Sequence, residues 1–143
     1  MQYRHLGKSN LKVSALCLGT MMFGDQTDKS EAARIVADAY ASGVNYIDTA
    51  DVYSLGASET MVGELLAGQR AHWVLATKLG NTMSERVNEG HFSRSWILHE
   101  VQQSLKRLQT DYVDILYLHR DNNGMDFEEP LRALDAMLRA GQI

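Results

Sequence analysis

A parallel α/β architecture is the fold class that this sequence predicts, and three observations predict it. Apolar strand-like runs alternate with amphipathic helical runs four times in succession. The strand runs are apolar on both faces: in the fourth, Val113, Ile115, Tyr117 and His119 share one face, and Leu116 and Leu118 the other. Three of the runs close on an ionisable residue, YID at Asp48, LATK at Lys78 and LYLH at His119. Strands joined through helices must lie parallel with right-handed crossovers. Two architectures satisfy this, a doubly wound sheet and part of a (β/α)₈ barrel.

The chain opens with YRHLGKSNLKVS, where two short strand-like pieces flank Gly7-Lys8-Ser9-Asn10, a composition suited to a tight hairpin turn. An apolar strand is expected over Ser14 to Leu18, followed by the glycine-bounded loop GTMMFG. The first helix spans about Lys29–Ala41, with Asp28 as its N-cap, Ala33, Ile35, Val36, Ala39 and Tyr40 as its apolar residues and Gly43 as its stop. Strands follow at Val44 to Ile47, Trp73 to Thr77 and Val113 to Leu118, each with a helix behind it: Ser58–Leu66, Ser93–Leu108 and Phe127–Arg139. Pro130 falls in the first turn of the last helix, where its missing N–H costs little. Asp114 is the polar exception in its strand and belongs near the beginning of it. Trp73, Trp96 and Tyr46 read as core or helix–sheet packing.

Composition narrows the function classes. With 143 residues, 45% hydrophobic and 22% charged, the chain suits one globular unit. A net charge of −4 without a Lys/Arg cluster argues against nucleic acid or an anionic membrane as the main partner. No apolar run approaches the ~18 residues a membrane span needs, and the amino terminus lacks a signal-peptide pattern. The lone Cys17, inside Ala15-Leu16-Cys17-Leu18, reads as a small core residue in a reducing compartment, so the expected location is the cytoplasm.

The strand-end residues suggest a chemistry. Asp48, Lys78 and His119 all stand at carboxyl ends, where active sites of parallel α/β folds gather, and Tyr53 follows Asp48 closely enough to fold over the same mouth. A free phenol, with a pKa near 10, is a weak acid at neutral pH. An adjacent ammonium favours the phenolate, and a carboxylate beyond the lysine keeps that ammonium charged and oriented. A nearby histidine can hydrogen-bond and position a carbonyl oxygen. The set is a proton-delivery device for a carbonyl that receives a hydride; it offers neither a nucleophile nor a metal ligand set.

Other readings are weaker. His119-Arg120-Asp121 imitates the kinase H-R-D and VLATK the kinase lysine strand, but position 126 is Asp where that motif needs Asn. There is no G-x-G-x-x-G before Lys78 and no D-F-G after His119. His5, His72, His91, His99 and His119 show no metal-binding spacing and read mostly as surface residues. Asp51 could join Asp48 around a cation, but a solvated loop carboxylate is the simpler expectation.

LGTMMFG, SGVNYIDTADVYSLGASE, VLATKLG and DYVDILYLHR together resemble the aldo-keto reductases, especially the potassium-channel β-subunit and bacterial types. The match includes D-T-A-x-x-Y-x-x-G-x-S-E from Asp48 to Glu59, the strand-end Thr77-Lys78 and the strand ending Leu118-His119. The resemblance implies a (β/α)₈ barrel, with residues 1–13 as a hairpin plugging its bottom and 14–143 as its first four βα units. By the same resemblance Tyr53 is the general acid, Lys78 tunes it, Asp48 partners the lysine and His119 orients the carbonyl. The hydride would come from NADPH, and the substrate is a small aldehyde or ketone. Gly19, Thr20 and Met21, with Asp48, would contact the cofactor; Met21 stands where many members carry Trp, so substrate shape does not carry over. Met22 and Phe23 either line the pocket or pack the loop.

A whole barrel takes about 250 residues, so the resemblance covers an amino-terminal half. Most of the cofactor's phosphate and adenosine grip is then expected beyond residue 143. Residues 1–143 by themselves are expected to bind NADPH weakly and to reduce little. The alternative is a reductase-like module that acts in binding or assembly. Open edges and an uncovered inner face (Tyr46, Val74, Ala76, Tyr117) predict self-association, or pairing with the other half of a barrel.

Overall fold

The computed structural model describes residues 1–121, 124 and 126–143. Strands β1 (Tyr3–His5) and β2 (Lys12–Ser14) form an antiparallel hairpin with Tyr3 opposite Ser14. Gly7, at φ 57°, takes the left-handed position in its turn. Side chains fasten this hairpin to the amino ends of the main strands. Tyr3 Oη donates to the Gly43 carbonyl at 2.7 Å, while Asn45 accepts from the Ser14 N–H and donates to the Lys12 carbonyl.

The main sheet runs β3 (Leu18–Gly19), β4 (Tyr46–Asp48), β5 (Val74–Leu79) and β6 (Ile115–Leu118), all parallel and in chain order. Helices α1 (Lys29–Ala41), α2 (Ala57–Leu66), α3 (Arg94–Arg107) and α4 (Glu128–Arg139) follow the four strands in turn. Consecutive strands that stay neighbours, each followed by its own helix, make an arc of a (β/α)₈ barrel; a doubly wound sheet would reverse its strand order. Ile47, Leu75 and Leu79 point to the helical side and pack with Val36, Val62, Ile97, Val101 and Met137 in one core. Caps define the helices. The Asp28 side chain accepts from Glu31 N–H, Ser93 from Trp96 N–H, and Gly43, at φ 79°, leads the chain out of α1.

Several expectations need correction. The first barrel strand is confined to Leu18–Gly19, because Ser14 completes the hairpin and its N–H goes to Asn45. Residues 15–17 are apolar but pair with no strand among the described residues, so Cys17 is exposed and not a core residue. On α1 the buried positions are Ala32 and Val36, with Ile35 and Ala39 packed beside them; Ala33 and Tyr40 face outward. The inner face of the sheet is also better covered than expected. Tyr46 and Tyr117 flank β5 and join hydroxyls at 2.7 Å, arching over Val74 and Ala76, which are both buried. Tyr46 is therefore an inner-face residue and has no place in the helix–sheet core. Asp114 does precede its strand, where it accepts from the Leu75 N–H and from Arg70.

Candidate active site

Because β4, β5 and β6 are parallel, Asp48, Lys78 and His119 emerge at one rim. Register carries Asp48 beside Ala76 and Lys78 beside Tyr117. The loop after β4 continues the ladder, with Thr49 N–H donating to Ala76 and Asp51 N–H to the Lys78 carbonyl. The chain then turns sharply through Tyr53–Gly56, where Ser54, Leu55 and Gly56 have φ of 49°, 51° and 89°. Two left-handed non-glycine residues in succession are costly and need external support. Ser54 Oγ donates to the Phe23 carbonyl, and beneath the turn Ser58 Oγ shares hydrogen bonds with Thr20 and Thr49 hydroxyls at 3.0 Å each. This turn aims Tyr53 at the rim.

The Lys78 ammonium is the hub. It donates to Asp48 Oδ1 at 2.5 Å, to the Thr49 carbonyl at 2.8 Å and to the Tyr53 hydroxyl oxygen at 3.0 Å. An ammonium has three N–H donors and no acceptor, so Lys78 is saturated and the phenolic proton of Tyr53 points elsewhere. Burial works against the lysine's charge, but the hydrogen bonds to Asp48 and Tyr53 outweigh it and hold the ammonium above its ordinary pKa. His119 stands edge-on to the Tyr53 ring, with centroids 5.7 Å apart. Burial, reinforced by the Lys78 charge, lowers its pKa, so its imidazole is neutral at pH 7. The four residues named from sequence therefore meet in one place.

Asn81 is a participant that sequence reading missed. Its Nδ2 donates to His119 Nδ1 at 3.0 Å, which leaves the ring proton on Nε2 as the free donor. A single Asn after a strand carries no motif, so only the fold could reveal it. Glu59 and Arg107 were also missed. Glu59, fully buried, accepts from the Thr77 hydroxyl at 2.5 Å and from Arg107 Nε at 2.7 Å; Arg107 Nη2 donates to Glu100 at 2.5 Å. The D-T-A…S-E spacing was the available signal for Glu59. Its role is to clamp α2 and α3 beneath the Tyr53 turn. Asp51 is likewise buried, at 0% exposure, so it is neither a solvated loop carboxylate nor open to a shared cation.

The remaining positions divide. Gly19 and Met21 are exposed at the mouth, and a Cβ on Gly19 would meet nothing within 4 Å. Thr20 is buried and committed to the loop, its hydroxyl and N–H both bound to the Asp48 carbonyl. Met21 and Met22 line a cleft beside Tyr53 together with Val52, Ser54 and Leu55, while Phe23 belongs to the core.

Fold and rim define the class: an arc of a (β/α)₈ barrel whose carboxyl mouth gathers Asp48, Tyr53, Lys78 and His119. Comparison with known proteins narrows it. The model of the aldo/keto reductase family matches residues 15–143, and the chain belongs to that family of oxidoreductases. It is 37% identical to the oxidoreductase YqkF of Bacillus subtilis, over 100% of this chain and 47% of that protein. It is 39% identical to a probable voltage-gated potassium channel subunit beta of Arabidopsis thaliana, over 99% of this chain and 44% of the other. Among solved structures, an aldo-keto reductase of Bacillus halodurans in its holo form superposes with a TM-score of 0.90 at 40% identity, covering 100% of this chain and 48% of that one. The chain spans about half the length of the relatives it matches and corresponds to the amino-terminal half of the barrel.

Proposed function

We propose that the protein carrying this chain is an NADPH-dependent oxidoreductase that reduces small aldehydes or ketones to alcohols, with Tyr53 as general acid. The observation that carries the reading is the Lys78 ammonium held between Asp48 and the Tyr53 hydroxyl oxygen. A reduced nicotinamide, when bound, supplies the hydride. The rim fits a flat ring: the open space before Gly19 admits a planar group against the backbone, and the partly buried Asp48 stands beside it in the neighbouring strand. Gly19, Met21 and Asp48 would hold that end of the cofactor. Family membership supports a nicotinamide cofactor, and a parallel assay separates NADPH from NADH.

The chain's own residues then do three things. His119, neutral and protonated on Nε2, donates to the substrate carbonyl oxygen and fixes its direction. Tyr53 passes its hydroxyl proton to the same oxygen as negative charge builds there. Lys78 stabilises the phenolate left behind, and Asp48 keeps the lysine in place. The apolar cleft of Met21, Met22, Val52 and Leu55 receives the substrate's carbon side. The test is consumption of NADPH, with NADH in parallel, by the full-length protein against a panel of aldehydes. Tyr53→Phe is expected to lower kcat by about 10²–10⁴-fold with cofactor binding kept. Unchanged turnover would sink the assignment.

A further inference from the structure

The loop between β4 and α2 contains a carboxyl group that proton delivery leaves unused. Asp51 stands two residues before Tyr53 and is wholly buried. Its backbone N–H donates to the Lys78 carbonyl at 3.0 Å, and its Oδ1 accepts the Val52 N–H at 2.6 Å. One residue thus ties the Tyr53 loop to the strand end that bears the lysine. Its second oxygen, Oδ2, is buried and has no hydrogen-bond partner among the described residues.

The groups that face Asp51 make ionisation costly. From α2 comes Glu59; from α3 come Glu100 and Arg107; its own loop offers the Val52 amide. Arg107 already serves both glutamates, so two carboxylates share one guanidinium before Asp51 is counted. A third buried anion with an unpartnered oxygen would meet repulsion and no compensating donor. Burial, followed by the Glu100 and Glu59 charges, raises the Asp51 carboxyl to about 7, against the smaller pull of the Val52 amide and Arg107.

We propose that Asp51 is a positioning residue for the Tyr53–Lys78 pair, holding their loop in place as an uncharged acid and loosening it when it ionises. The catalytic consequence rests on the carbonyl-reduction reading; the structural consequence does not. Free in the unfolded chain, the carboxyl loses its proton near 3.8, whereas in the folded protein it keeps it to about 7. Between these values the folded state holds the extra proton, so stability falls as pH rises through the window and levels off above it.

The experiment has two arms, both on the full-length protein. In the first, tyrosine is labelled at Cζ with ¹³C, and the Tyr53 signal is identified by its loss in Tyr53→Phe. It is expected to shift with a midpoint near pH 7, and to show no such step in Asp51→Asn, which retains the Oδ1 acceptor. In the second arm, kcat/KM should fall about tenfold per pH unit above that midpoint in the parent and lose this limb in Asp51→Asn. Asp51→Ala, lacking the acceptor, should lower the rate at every pH. An identical Tyr53 step in parent and Asp51→Asn overturns the proposal, whether or not any carbonyl is reduced. If Asp51→Asn does not fold, the parent still decides. Its Asp51 ¹³Cγ and Tyr53 ¹³Cζ signals must titrate together, and separate midpoints refute the coupling.

Discussion

Replacing Arg107 with methionine tests whether the network under the Tyr53 turn is held by charge pairing. Arg107 gives Nε to Glu59 at 2.7 Å and Nη2 to Glu100 at 2.5 Å, and these glutamates are 0% and 3% exposed. Methionine fills much of the volume but strands two carboxylates in the interior. Breaking a buried pair by removing one partner costs about 3–5 kcal/mol. With a urea m-value of about 2 kcal/mol per molar, the unfolding midpoint should drop by about 1.5–2.5 M. The loss should depend on pH with a definite sign. Burial already raises the pKa of Glu100, and removing the guanidinium that opposes this raises it further above the unfolded value. The folded variant then holds extra protons as pH falls, so its deficit shrinks toward pH 4 and is largest at neutral pH. Adding Glu59→Gln should recover part of the loss by removing one stranded charge. The assay is urea unfolding followed by circular dichroism at pH 4.5 and 7.5. A midpoint shift below about 0.5 M at pH 7.5, or no pH dependence, would refute the charge-pairing argument.

Two further predictions follow from the rim and the sheet edges. Asn81→Ala removes the donor to His119 Nδ1 at 3.0 Å, so imidazole ¹⁵N shifts should show a larger share of the Nδ1–H tautomer and kcat/KM should drop about tenfold; unchanged shifts would clear Asn81 of the role. Residues 1–143 expressed by themselves leave β3 and β6 as edge strands of the described sheet, with Leu16, Met21 and Tyr117 exposed. Sedimentation should find them self-associated or aggregated, and a stable monomer would contradict that expectation.

Much was legible in the sequence because local rules are enough to produce it. The strand–helix alternation, the Asp28 cap, the Gly43 stop and Pro130 in the first turn of α4 are matters of periodicity and backbone chemistry, which a chain carries wherever it folds. Asp48, Lys78 and His119 could be paired from sequence because parallel strands bring their carboxyl ends to one rim. What failed required knowledge of neighbours. Apolar residues 15–17 read as a strand, but pairing is a relation between two segments, and among the described residues no strand pairs with them. Asp51 read as solvated because charge usually is; only packing against α2 and α3 buries it. Whether Tyr46 and Tyr117 leave β5 bare depends on hydroxyls 71 positions apart meeting across it. Identity and spacing thus determined the fold class and the four residues of the candidate site. The burial of Asp51 and the Asn81 contact of His119 were decided by tertiary structure, because each depends on packing against groups remote in sequence.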